Sequence, residues 1–349
     1  MAKFHPKLLV GRTCGIKSNQ QNINDMKYLI TGAAGFIGFH LAEHFLRKGI
    51  QIVGLDNLND YYDVGLKQNR LHILEKYPNF LFVNIDITDG QSVNNVFFKH
   101  SFDFVFHFAA QAGVRYSAVN PKVFARSNIV GFIHVLDCCN TYESKLLYAS
   151  SSSVYGNGTP VPFSENSVKT SSNNLYAKSK IENENLVEIY SKHLNLDAIG
   201  VRLFSVYGPY GRPDMAYMSF ANSIIHNESI KIYGKGQMQR DYTYIGDVIM
   251  SIDKLVEYYS TKNPKNEIYN IGASCPVSTL TLIDKLEMLL GKTVPKVFVD
   301  DHGEEMLITC ADTTKLEKAI MYKPNTSIDD GLAIFIDWLK YYNVHQKNS

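Results

Sequence analysis

Short apolar runs recur along the first two-thirds of the chain, each followed by a stretch whose apolar positions repeat at helical spacing. The runs are Lys27-Tyr-Leu-Ile-Thr, Gln51-Ile-Val-Gly-Leu, Phe80-Leu-Phe-Val-Asn-Ile, Asp103-Phe-Val-Phe-His-Phe, Lys145-Leu-Leu-Tyr-Ala and Leu196-Asp-Ala-Ile-Gly-Val-Arg-Leu-Phe. They are short and apolar on both faces, as strands covered by helices on both sides must be. Helical spacing follows at Leu41, Phe45 and Leu46, through Arg70 to Tyr77, from Asn128 through Val135 to Cys139, and from Tyr176 through Ile181, Leu186, Val187 and Ile189. This alternation predicts an α/β fold with a doubly wound parallel sheet.

Beyond residue 205 the rhythm changes. A turn at Gly211-Arg212-Pro213-Asp214 precedes a predicted helix from Met218 to Ile225. Further helices are expected at Ile252 and Leu255, from Ser278 to Leu290 and from Asp329 to Tyr341, with a strand at Ile268-Tyr-Asn-Ile and Trp338 in the core. No linker or repeat divides the two parts. The expected layout is an extension over 1–26, a larger domain over 27–204 to which 238–268 returns, and a smaller interleaved lobe from 205–237 and 269–345. Residues 1–26 carry Lys3, Lys7, Arg12 and Lys17 around one short apolar run, too weak for a signal-peptide core.

Composition narrows the partners. Of 349 residues 45% are hydrophobic and the net charge is +1, so no bulk electrostatic attraction to nucleic acid or to an acidic membrane is expected. No apolar run approaches the ~18–20 residues of a membrane span. The five cysteines (Cys14, Cys138, Cys139, Cys275, Cys310) lack metal-ligand spacing, so no metal site is expected and a reducing, cytoplasmic setting is.

The first strand runs into Gly32-Ala-Ala-Gly35-Phe36-Ile37-Gly38 and then a helix. Glycines let a backbone approach a pyrophosphate, and a helix N-terminus offers it free N–H groups. Asp56 ends the second strand about 20 residues on, where an acid meets ribose hydroxyls and repels a 2′-phosphate, which favours NAD over NADP. Asn57 follows it. Asp86-Ile87 ends the third strand and is expected to contact adenine. Phe108 closes the fourth strand, and Ala109-Ala110-Gln111-Ala112-Gly113 follows, a small-residue stretch that lets a cofactor lie flat on the backbone. Arg115 follows. Ser150, Ser151, Ser152 and Ser153 end the fifth, where ligands bind in open α/β sheets. Tyr176 and Lys180 lie four residues apart, on one helical face. A cation beside a phenol lowers its pKa from about 10 and makes a general base of it.

In this order the pieces resemble the extended short-chain dehydrogenase/reductase superfamily, and within it the nucleotide-sugar epimerases and dehydratases. The resemblance covers Lys27 to Tyr342 and is carried by the glycines, Asp56, Asp86-Ile87, His107 to Ala112, Asn128, Ser151 with Tyr176 and Lys180, and Arg240-Asp241. It implies NAD as cofactor, with Asn128 and Ser150 also at that site. It further implies a UDP-sugar substrate, a homodimer through the Asn128 and Tyr176 helices, and a catalytic set of Tyr176, Lys180 and Ser151. Dehydratases of the family carry an Asp-Glu pair where this chain has Ser152-Ser153, which favours 4-epimerisation over elimination. The stretches Asp56 to Asp63, Ala110 to Ser117 and Arg202 to Ala216 are similar to the UDP-glucuronate 4-epimerases. In that branch a carboxylate at sugar C5 would take donors from Ser151, Ser152, Ser153, Ser205 and Arg212, with Arg240 on the phosphates. The family's Gly-Asp-Val run near the C-terminus stands here as Gly303-Glu304-Glu305-Met306-Leu307. An epimerase of UDP-glucose or UDP-N-acetylglucosamine, and a non-catalytic NAD-binding protein on the same fold, are the alternatives.

Overall fold

The computed structural model describes residues 26–167, 174–262, 265–300 and 306–346. The expected extension up to residue 25 and the Gly303-Glu304-Glu305 part of the C-terminal run lie outside them.

The first half alternates as its pattern predicts: β1 (Lys27–Thr31), α1 (Phe36–Arg47), β2 (Gln51–Asp56), α2 (Val64–Leu74), β3 (Phe80–Asn84), α3 (Gly90–Lys99), β4 (Phe104–His107), α4 (Val114–Val119), α5 (Pro121–Phe124), α6 (Gly131–Thr141), β5 (Lys145–Ser151), α7 (Leu175–Leu194) and β6 (Ala198–Leu203). The second half adds β7 (Ser205–Tyr207), α8 (Ala216–His226), β8 (Ile230–Tyr233), β9 (Gln239–Tyr244), α9 (Ile245–Lys262), β10 (Glu267–Ile271), β11 (Pro276–Ser278), α10 (Thr279–Leu290), β12 (Lys296–Val299), α11 (Thr314–Ile320) and α12 (Ile328–Gln346).

Seven strands form one parallel sheet in the order β10-β6-β5-β4-β1-β2-β3. Successive side chains of a strand point to opposite faces. Tyr28 and Ile30 of β1 therefore pack with α1, α2, α9 and α11, while Leu29 packs with α3, α6 and α7. Strand order reverses between β1 and β4, and a crevice opens there beyond the strand ends. A second core of Tyr217, Ile224, Ile232, Leu282 and Phe335 joins α8, α10 and α12 to the small sheets β11-β9-β7 and β12-β8. Trp338 is half-buried at its edge.

Two boundaries differ from expectation. The return to the large sheet comprises α9 and β10 as far as Ile271, whereas β9 stays with β7 and β11. Strand β10 completes the sheet by pairing with β6, so 269–271 belong to the first domain. The helix expected to begin at Asn128 begins at Pro121 instead, and residues Ala125–Val130 form π-helical turns before α6. An extra residue per turn re-aims side chains. Here it lets Asn128 face the segment after β4: its Oδ1 accepts from Gln111 N at 2.8 Å, and its Nδ2 donates to Gln111 O and Ser179 Oγ, both at 3.0 Å.

Candidate active site

The crevice is a cavity of about 1150 Å³ running from the glycine turn to β8 and Arg240. At one end stands the β1–α1 turn. Gly32 has φ +73°, and a Cβ there would stand 2.8 Å from Ala109 N, so the turn and the segment after β4 approach to backbone contact. Helix α1 begins at Gly35 with no side chain capping it, which leaves its first N–H groups to the cavity. Asp56 is buried; its carboxylate accepts from Ala34 N at 3.2 Å and Leu58 N at 2.9 Å, and burial raises its pKa against those bonds. Asp86 accepts from Asn57 Nδ2 and from Thr88 N, both at 2.8 Å. Gly35, Phe36, Ile37, Gly38, Ile87, Phe108, Ala109, Ala110 and Gln111 line the same space, and Ser150 edges it. A glycine turn, an uncapped helix start and an acid on the next strand fit a dinucleotide with free ribose hydroxyls. Asn128 is buried behind this wall and hydrogen-bonds to Gln111, which lines the cavity.

Helix α7 carries Tyr176 and Lys180 into the middle of the cavity. It starts where Asn174 accepts from Ala177 N at 2.8 Å, a side-chain cap. Burial raises the Tyr176 pKa, while hydrogen bonding to Ser151 and the charge of Arg212 pull it back. The ammonium expected to lower it, that of Lys180, donates instead to Ala149 O at 2.8 Å. Burial brings Lys180 down to about 8, with Glu184 acting the other way. Beneath it, His107 meets Thr31 Oγ1 through Nδ1 at 2.9 Å, and burial together with Lys180 pushes it to about 3, so it is neutral.

The serines after β5 divide their work. Ser151 donates to Ser153 Oγ at 3.1 Å and accepts from Ser153 N, which holds the turn at the strand end. Ser150 donates to Glu184 Oε1 at 2.6 Å, beneath the cavity floor. Ser151, Ser152, Ser153, Ser205, Arg115, Arg212 and Arg240 all line the cavity. Arg115 lies 3.9 Å from the Tyr233 ring centre, and Arg240 donates to Met306 O at 2.7 Å. Arg212 forms an ion pair with Asp214.

The sequence reading passed over the support beneath these groups. Glu184, on the helix face of Lys180, takes Arg202 Nε at 2.9 Å and Nη2 at 2.8 Å, and both are nearly inaccessible. Arg202 also donates to Tyr155, which donates to Asn270. A lone arginine in the otherwise apolar Ala198–Leu203 was the available signal, since a buried charge requires a partner. Arg70 is fully buried; it donates to Ala34 O and Tyr62 Oη, both at 2.7 Å, and to Tyr210 O at 2.6 Å.

Comparison with known proteins bears on this arrangement. The model of the NAD dependent epimerase/dehydratase family matches residues 28–272. The chain belongs to that family. It is 40% identical over 333 residues to the protein CapI of Staphylococcus aureus, covering 91% of this chain and 99% of that one. It is 40% identical over 315 residues to a UDP-glucuronate 4-epimerase of Thermodesulfobacterium geofontis, covering 90% and 96%. Among solved structures, UDP-glucuronic acid 4-epimerase of Bacillus cereus, in complex with UDP-glucuronic acid and NAD, superposes with a TM-score of 0.86 at 32% identity, covering 91% of this chain and all of that one. The expected kinship with nucleotide-sugar epimerases is met, and with it an NAD-dependent isomerase on a Rossmann-type fold. No helix among the described residues is long and apolar enough to cross a membrane.

Proposed function

We propose that the protein interconverts UDP-glucuronate and UDP-galacturonate through a 4-keto sugar. The observation that carries this reading is the joint placement, in one cavity, of Tyr176 and Lys180, a serine row without a carboxyl group, and Arg212. The glycine turn, Asp56 and Lys180 would hold NAD, which would supply the hydride acceptor and donor that inversion at C4 requires. Tyr176 removes the 4-hydroxyl proton and later returns it, and Ser151 shares that hydrogen bond. Lys180 anchors the floor of the site through Ala149. Arg240 holds the phosphates while the sugar turns. With serines at 152 and 153, no carboxyl group stands where the family's dehydratases carry the Asp-Glu pair used in water elimination. The C5 carboxylate takes hydrogen bonds from Ser152, Ser153, Ser205 and Arg212. A homodimer through α6 and α7 and a reducing cytoplasm belong to the same reading; the exposed Val130, just before α6, and Ile189, on α7, support the first.

The test is incubation with UDP-glucuronate without added reductant, followed by NMR of the anomeric protons. UDP-galacturonate is the expected product. Turnover of UDP-glucose or UDP-N-acetylglucosamine alone would keep the chemistry and overturn the carboxylate contacts.

A further inference from the structure

Arg212 does not face the cavity unrestrained. Its Nε donates to Asp214 Oδ1 at 2.9 Å and its Nη2 to Oδ2 at 2.7 Å. This is the side-on edge of the guanidinium in the planar two-bond geometry. A guanidinium has five N–H groups, and this pair uses two. Among the described residues the other three take no partner, and one hydrogen of Nη1 with the second of Nη2 forms an end-on edge able to hold another carboxylate. Asp214 is held in turn. The Tyr61 hydroxyl donates to its Oδ2 at 3.1 Å, and the Tyr61 ring packs on Tyr116 with centroids 4.8 Å apart. Tyr61 can occupy this place because residue 113 is glycine: φ there is +105°, and a Cβ would stand 2.4 Å from the Tyr61 oxygen. Tyr61, Gly113, Arg212 and Asp214 all line the cavity, and Tyr61 sits on the loop that follows Asp56.

We propose that Asp214 and Tyr61 are positioning residues that fix the side-on edge of Arg212, so that its end-on edge meets the C5 carboxylate and makes the site selective for uronates. This rests on the reading above that the sugar is a uronate touched by Arg212. The consequence goes beyond affinity. The 4-keto uronate is a β-keto acid. Loss of CO₂ breaks the bond between C5 and the carboxyl carbon and leaves the electron pair as a C4–C5 enolate, which then takes a proton at C5. That electron pair can delocalise only if the breaking bond stands across the plane of the C4 carbonyl. A carboxylate pinned by a pinned arginine is kept out of that orientation, whereas one held by a mobile arginine reaches it.

The experiment uses NAD-loaded enzyme and UDP-glucuronate, and reads KM, kcat and CO₂ released per UDP-galacturonate formed, for Asp214→Asn, Tyr61→Phe, Arg212→Gln and the Asp214→Asn/Arg212→Gln pair. Asp214→Asn is expected to raise KM and the CO₂ ratio by roughly tenfold each, with bound NAD unchanged. Tyr61→Phe should move both in the same direction by less. In the Arg212→Gln background Asp214→Asn should add nothing, because it acts through the arginine. If Arg212→Gln behaves as wild type, the carboxylate contact itself is wrong and the proposal falls with it. If Arg212→Gln is impaired while Asp214→Asn is unchanged, or the two effects add, the contact stands and the positioning role is overturned.

Discussion

Lys180 is a cation held where burial disfavours charge, and that has a measurable sign. Its pKa falls from 10.5 to about 8, which corresponds to roughly 3 kcal/mol against the charged folded state. For a base with a depressed folded pKa, this cost is fully present below about 8. It fades as pH rises and is gone above the unfolded value. Replacing Lys180 with Met should therefore stabilise the fold at pH 7 by about 1–3 kcal/mol, less what the lost bond to Ala149 O gives back. Urea melts should show that advantage narrowing between pH 8 and pH 10, while epimerase activity is lost. Tyr176 gives the complementary test. Its raised pKa means that kcat/KM should rise with pH as the hydroxyl ionises. Tyr176→Phe should reduce kcat by about 10³-fold or more with NAD still bound, as read by turnover and by cofactor absorbance.

Among elements, α7 does more than present its two catalytic candidates. Through Glu184 it is joined to β5 at Ser150 and to β6 at Arg202, so the floor of the site is one buried network. Glu184→Gln leaves the Arg202 charge without its partner and should cost about 3–5 kcal/mol, seen as a lower urea midpoint. Glu43→Gln, which breaks the exposed Arg47 pair on α1, should shift it by less than about 1 kcal/mol. This contrast marks what was legible in the chain. The apolar strands and the helices they alternate with could be read off, because one residue's burial is written in its period. The glycine turn, Asp56, Tyr176 and Lys180 could be read for the same local reason: strand ends and helix faces follow from spacing. The π-helical turn around Asn128 could not, because nothing local distinguishes it from the first turn of α6. Nor could the pairing of Arg202 with Glu184 or of Arg212 with Asp214, since a charge names the need for a partner but not which one.

Across the whole molecule, Arg70 is one of the residues at which the two lobes meet. Arg70, on α2, donates to the carbonyl of Ala34 in the cofactor turn and to those of Tyr210 and Gly211, just before Arg212. The Tyr210 side also packs on Phe39 and Trp338, so the loop is held by the first domain and by α12 together. A single planar cation thus ties the β1–α1 glycine turn, proposed above to take the pyrophosphate, to the loop before Arg212, proposed to take the sugar. If each ligand orders its own loop, ordering one lowers the cost of ordering the other, and the coupling must be reciprocal in free energy. The expected outcome is that UDP-glucuronate slows NAD release from the wild type, by a factor on the order of 10 for a coupling of ~1–2 kcal/mol. In Arg70→Met that factor should approach one, with NAD release faster whether or not the sugar is present. Stopped-flow displacement of bound NAD, with and without UDP-glucuronate, measures both. Equal sugar effects in the two proteins would mean that the loops order independently, and that Arg70 only fills its place between α2 and the 208–212 loop.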